Sequence, residues 1–266
     1  MAEAGTAMIT GASSGIGAIY ADRLARRGYD LILVARDAAR LATTAERLSS
    51  ETGVLVEPLP TDLTDRAQLA RLEDRLASDP AITLLVNNAG MSLNGTWLTA
   101  SPSEVERLIA LNTLAPTLLA KAAATAFAAR GAGAIVNVGS VLALAPELFD
   151  GAYSGTKAHL LNLTLAIAAK LGDQGVYAQA VLPGTTRTEI FERSGKDLGT
   201  LPPDWVMEPE DLVDAALTGF DRLETVTIPS LHDDSGLRAM TAARLALAPI
   251  LQNCAVAPRY RTGAVD

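Results

Sequence analysis

The sequence predicts an α/β protein whose doubly wound, Rossmann-like parallel sheet has about seven strands with helices on both faces, and three observations lead there. Short apolar runs alternate with helical patterns along almost the whole chain. One of those runs, Leu31-Ile32-Leu33-Val34, is apolar at every position, as a strand covered on both faces requires. The first run ends in a glycine-rich turn, Gly11-Ala12-Ser13-Ser14-Gly15-Ile16-Gly17, immediately before a helical pattern.

Taken in order, Thr6 to Thr10 reads as a strand, and Ala18 to Arg27 as a helix with Leu24 and Ala25 inward. Strands are predicted at Asp30 to Ala35, Val54 to Leu59, Ile82 to Val86, Ala134 to Val138, Val176 to Leu182 and Val226 to Ile228. Between them fall helices from Asp37 to Ser50, Asp65 to Ala77, Pro102 to Ala129, Ala152 to Leu171 and Glu208 to Phe220. Right-handed crossovers then produce the doubly wound order. No Pro-, Gly- or Ser-rich linker divides the chain, so residues 1–266 are expected to form a single domain. Two segments interrupt the alternation. Glu189 to Met207, with Gly195, Gly199, Pro202 and Pro203, suggests an irregular flap, and about 233–266 suggests an added extension with a helix from Ser235 to Gln252.

Composition narrows the function. A chain of 266 residues, 49% hydrophobic, can bury a large core. Its net charge of -8 and pI near 4.9 argue against nucleic-acid or anionic-membrane surfaces, leaving small molecules and further copies of the chain as expected partners. Cys254 is the only cysteine, and the two histidines, His159 and His232, lie far apart, so no metal site is expected. The first residues lack the basic and apolar regions of a signal peptide. Leu108 to Ala129 is interrupted by Asn112, Pro116 and Lys121, which points to a buried or interface helix in a cytoplasmic protein.

The chemistry centres on Ala152-Tyr153-Ser154-Gly155-Thr156-Lys157-Ala158. On a helix, positions i and i+4 share a face, which sets an ammonium beside a phenol. A neighbouring cation favours the phenolate and is expected to lower the tyrosine from about 10 toward neutrality, where it can exchange protons with a substrate. The glycines at 11, 15 and 17 do not match G-x-G-x-x-G, yet they allow a tight bend and present a helix N-terminus to a pyrophosphate. At the end of the second strand, where NAD-binding folds place a carboxylate for the ribose, the sequence reads Val34-Ala35-Arg36. Arg36 can bind a 2'-phosphate through its planar fork, so NADP(H) is expected over NAD(H). Asp37 is the competing residue and has another explanation as a helix cap.

Thr10 to Gly17, Asn87-Asn88-Ala89-Gly90, Asn112, Ser140, Tyr153 with Lys157, and Pro183-Gly184 resemble, in order and spacing, the short-chain dehydrogenase/reductase family over roughly residues 5 to 190. The resemblance implies Tyr153 as the general acid in carbonyl reduction and the base in alcohol oxidation. It implies that Lys157 holds the nicotinamide ribose and lowers the Tyr153 pKa, that Ser140 bonds the substrate oxygen, and that Asn112 keeps a water in a proton relay. For the cofactor it implies Gly11, Ser13, Ser14, Gly15, Ile16 and Gly17 at the pyrophosphate, and Asp62 with Leu63 at the adenine. By the same resemblance Asn88, Ala89 and Gly90 would flank the adenosine ribose, while Pro183, Gly184, Thr186 and Thr188 would seat the nicotinamide. Thr186 departs from the apolar residue common there.

Pro229-Ser230-Leu231-His232 replaces the glycine-rich ending that supports a tetramer in many relatives. A homodimer on the helices starting near Pro102 and Ala152 is therefore expected before a homotetramer, helped by the alanines of 120–129. His159, about 200° around the helix from Lys157, reads as structural, as does His232, and Cys254 reads as an apolar filler. Trp97, Leu142, Leu144, Phe149, Phe191 and Trp205 fall on loops that either line an apolar substrate pocket or pack among themselves. The main reading is an NADP(H)-dependent oxidoreductase interconverting a mostly apolar ketone or aldehyde and its alcohol. Epimerisation or dehydration on the same scaffold, and a non-catalytic NADP sensor, are the alternatives.

Overall fold

A computed structural model of the protein describes residues 5–148, 150–189 and 198–261. Phe149, Phe191 and the 190–197 portion of the expected flap lie outside them. Along the chain run β1 (Thr6–Thr10), α1 (Gly15–Arg26), β2 (Asp30–Ala35), α2 (Ala38–Thr52), β3 (Val56–Pro60), α3 (Arg66–Ser78) and β4 (Ile82–Asn87). They are followed by α4 (Pro102–Ile109), α5 (Ala115–Arg130), β5 (Gly133–Val138), α6 (Gly151–Leu171), β6 (Val176–Val181), α7 (Pro209–Asp221), β7 (Val226–Thr227) and α8 (Ser235–Leu247). The seven strands form one parallel sheet in the order β3-β2-β1-β4-β5-β6-β7. Its strand order reverses between β1 and β4, which opens a crevice at their C-terminal ends.

The continuous apolar run in β2 is explained by its neighbours. Leu31 and Leu33 point into one layer with Tyr20 and Leu24 of α1 and Leu212 of α7. Ile32 and Val34 point into the other, with Leu69 and Leu72 of α3 and Leu119 of α5. β1 and β4 divide in the same way, Ile9 and Val86 on the first side, Met8 and Leu85 on the second. Two apolar layers on one parallel sheet require this pattern.

Pro102–Arg130 is long and apolar enough to cross a membrane by composition. Within the protein, Ala115, Leu119, Ala120, Ala123, Ala124 and Phe127 of that stretch pack into the layer beneath the sheet. Ala120, Ala123 and Ala124 therefore face the chain's own core. The stretch is not one regular helix: Ala110–Leu114 forms a π-helical turn between α4 and α5. His159 bridges α6 to this stretch through a 2.7 Å hydrogen bond with Thr117 Oγ1, the structural role expected of it.

Contacts divide the chain into Met1–Ser230, which holds the sheet, and Leu231–Asp266. The second unit contains α8, which stops at Leu247, two residues before Pro249, instead of continuing to Gln252. Ala248 and Pro249 keep right-handed helical dihedrals, but Pro249 has no N–H to bond the Leu245 carbonyl, so the α-helical ladder ends there. Cys254 is exposed, not the apolar filler expected. No group of His, Cys, Asp and Glu among the described residues is arranged to hold a metal.

Candidate active site

Tyr153 and Lys157 occupy the first two turns of α6, which starts where it does because Asp150 caps it. Asp150 Oδ1 accepts hydrogen bonds from Ala152 N at 2.9 Å and Tyr153 N at 3.1 Å. Lys157 is only 4% exposed, and its Nζ donates to the Val138 carbonyl at the end of β5, 3.0 Å away. Two residues past Val138 stands Ser140. Its hydroxyl hydrogen-bonds the Tyr153 phenol, and its Oγ also accepts from Leu142 N at 3.2 Å, which caps a short turn and sets the side chain's direction.

The electrostatics differ from the expectation that Lys157 draws Tyr153 toward neutrality. Burial pushes the phenol up to about 12, with only the Ser140 hydrogen bond acting the other way. Lys157 Nζ lies 5.7 Å from the Tyr153 ring centroid, and burial lowers the ammonium to about 8. Desolvation governs both groups, because each charge is withdrawn from water with few partners to replace it.

Asn112, 1% exposed, sits within the π-helical turn. Its Oδ1 accepts from Met91 N at 2.9 Å, and its Nδ2 donates to Met91 O at 2.8 Å and Thr156 Oγ1 at 3.2 Å. The side chain thus ties the irregular segment after β4 to α6. Gly90 fits between these groups: a Cβ there would stand 3.4 Å from Asn112 Oδ1 and 3.5 Å from Lys157 Nζ.

The glycine turn is shaped for close approach. Gly11 and Gly15 take positive φ of 69° and 53°, which side chains disfavour. A Cβ on Gly17 would come within 2.2 Å of the Gly11 carbonyl oxygen. Ser14 precedes α1 without a side-chain cap, so the first N–H groups of that helix are available to an anion. Thr188 lies over the turn, its Cγ2 3.3 Å from where a Gly15 Cβ would be. At the end of β2, Arg36 is exposed and makes no ion pair among the described residues. Asp37 caps α2, its carboxylate accepting from Arg40 N at 3.0 Å. Arg40 in turn pairs with Glu189 at 2.8 Å. Burial opposes ionisation of Asp62, yet bonds from Thr64 and the charges of Arg36 and Arg107 hold its carboxyl below the ordinary value. The lining thus offers a narrow glycine cradle, an uncapped helix end and an unpaired guanidinium in sequence along the crevice, a set that fits a phosphorylated dinucleotide.

The short chain dehydrogenase family model matches residues 5–199. The chain belongs to this family. A short-chain dehydrogenase from Sphingobium yanoikuyae, solved in complex with NADPH, shares 52% identity with a TM-score of 0.93, over 97% of this chain and 100% of that one. The bulky-bulky ketone specific alcohol dehydrogenase from Comamonas testosteroni shares 46% identity with a TM-score of 0.89, over 97% of this chain and 99% of that one. Among curated proteins, a very-long-chain 3-oxoacyl-CoA reductase from Coccidioides immitis is 32% identical over 181 residues, 66% of this chain and 52% of that protein. The match thus spans about half the length of that relative.

In this short-chain dehydrogenase Asn112, Ser140, Tyr153 and Lys157 do meet at one place, as do Gly11, Gly15, Gly17, Asn88 and Thr188 at the turn. Asn88 Nδ2 donates to the carbonyls of Thr10 and Gly11, and Ala89 N donates to Thr10 Oγ1. Leu63 is buried with the apolar layer beside α3. Pro183 O accepts from Val141 N at 2.9 Å, and Thr186 pairs with Met207 while bonding the Gly184 carbonyl. Three residues escaped the sequence reading. Thr10 and Thr156 support the site through their hydroxyls, and Asp150 caps α6. Only Asp150 had a signal, an Asp just before a helical pattern.

Proposed function

We propose that this oxidoreductase interconverts a ketone or aldehyde and its alcohol with NADP(H), with Tyr153 as the group that moves the proton. The hydrogen bond between Ser140 and Tyr153 is the observation that carries this reading. It brings two hydroxyls to one point at the C-terminal edge of the sheet, where a carbonyl oxygen gaining negative charge needs donors. A phenol near 12 is protonated throughout the neutral range, the state required of an acid in reduction.

NADPH, when bound, supplies the hydride. Lys157, anchored at the Val138 carbonyl beside Gly90, would hold the nicotinamide ribose, while the glycine turn and the first N–H groups of α1 would receive the pyrophosphate. Arg36 selects the 2'-phosphate: it makes no ion pair among the described residues, the adjacent Asp37 is engaged as a cap, and the nearby Asp62 carboxylate is held by Thr64. Asn112 holds a relay water through its backbone carbonyl, since its amide group is occupied by Met91 and Thr156. Pro116, four residues on, lacks the N–H that would otherwise bond that carbonyl in an α-helix.

Exposed Trp97 and Trp205, with half-buried Leu142 and Leu144, suit an open apolar binding surface and therefore large ketones. A cytoplasmic location and a homodimer complete the reading. Following NADPH and NADH absorbance against ketones with one and two large substituents, and against the matching alcohols, tests it. Turnover with NADPH and a large ketone is expected, and no turnover with any carbonyl or alcohol would overturn it.

A further inference from the structure

Asp150 does more than begin a helix. Its carboxylate, 8% exposed, gathers three backbone N–H groups from two separate parts of the chain. Oδ1 holds Ala152 and Tyr153 at the start of α6, while Oδ2 accepts from Trp97 N at 2.5 Å. Trp97 lies in a turn of residues 96–100, closed by hydrogen bonds from Thr99 N and Ala100 N to the Thr96 carbonyl. Trp97 is 53% exposed, unusual for so large an apolar residue. One buried charge thus fixes both the backbone of the proton-moving tyrosine and that of an exposed tryptophan beside it.

We propose that Asp150 is a positioning residue that holds a substrate-contacting surface at Trp97 beside the start of α6, and so helps to set specificity for large apolar substituents. The proposal rests on the functional reading above. Its physical basis is the division of labour between the carboxylate oxygens. A carboxylate accepts at both, whereas an amide accepts at only one. Asparagine caps a helix as well as aspartate does, so Asp150→Asn keeps α6 and Tyr153 in place while the Trp97 turn loses its acceptor.

The experiment compares wild type, Asp150→Asn, Trp97→Ala and the double variant, measuring KM and kcat for a ketone with two large substituents and for a small one, together with NADPH affinity. Wild type is assayed first. An inactive wild type would count against the functional reading, whereas an active one lets the variants judge the role of Asp150. Asp150→Asn is expected to raise KM for the large ketone about tenfold, the loss of one charge-assisted hydrogen bond, with kcat and NADPH affinity within about twofold. KM for the small ketone should move little. Trp97→Ala should raise KM for the large ketone similarly, and the double variant should add nothing further, because the indole that Asp150 places is already gone. Unchanged KM in Asp150→Asn, or additive losses in the double variant, would overturn the proposal. So would parallel losses for both ketones and for NADPH, which would mark Asp150 as a general structural residue.

Discussion

Ser140 and Tyr153 are hydrogen-bonded to each other although one follows a strand and the other begins a helix. The contact exists because β5 and α6 meet at the C-terminal edge of the sheet, where Lys157 also reaches the Val138 carbonyl. Removing either hydroxyl should therefore affect chemistry and not folding. Tyr153→Phe is expected to lower kcat by about a thousandfold or more, and Ser140→Ala by about a hundredfold, with NADPH affinity unchanged. Steady-state kinetics with a fluorescence titration check both. A Tyr153→Phe enzyme working at the wild-type rate would show that the acid is another group.

Lys157 is a buried amine whose charge is held at the expense of stability. Its value of about 8 in the folded protein lies below the ordinary 10.5, so the unfolded chain binds this proton more tightly. The resulting destabilisation is complete below pH 8 and fades as pH rises toward 10.5. Lys157→Met removes up to about 3 kcal/mol of that cost at pH 7. Losing the bond to the Val138 carbonyl offsets about 1 kcal/mol, leaving a net gain of about 2 kcal/mol. The variant should be inactive, more stable than wild type at pH 7 and without that advantage at pH 10.5. Denaturant unfolding at both pH values decides, and a variant less stable at pH 7 would contradict the argument.

Gly17 admits no side chain, because a Cβ would lie 2.2 Å from the backbone oxygen of Gly11. Gly17→Ala must push the turn away from α1. A loss of NADPH affinity of about a hundredfold is expected, along with a lower Tm. Titration of NADPH by fluorescence measures it, and wild-type affinity would mean that the cofactor does not rest on this turn.

Arg36→Ala should weaken NADPH binding roughly tenfold or more and leave NADH binding unchanged, since only the 2'-phosphate distinguishes the two cofactors. Equal losses for both would assign Arg36 a general electrostatic role.

Much of this protein was legible in its sequence, and the reasons are local. The apolar run Leu31 to Val34 announced a strand covered on both faces, and the alternation of strands and helices led to the seven-stranded parallel sheet. The spacing of Tyr153 and Lys157 placed them together because helix geometry follows from sequence separation alone. The apolar stretch Leu108 to Ala129 likewise read as a helix, though not the π-helical turn at Asn112.

What only the tertiary structure decided are relationships between residues distant along the chain. Whether Lys157 or burial sets the Tyr153 pKa depends on how much water the packed edge excludes, and burial prevails. Asp150 escaped the sequence reading, and the only signal it carries there is that of an Asp just before a helical pattern. Its second oxygen meets Trp97, 53 positions away, only because folding brings the loop after β4 to the start of α6. Periodicity and spacing determine elements and the faces they bury, whereas long-range polar contacts and desolvation arise from packing and have no local signature.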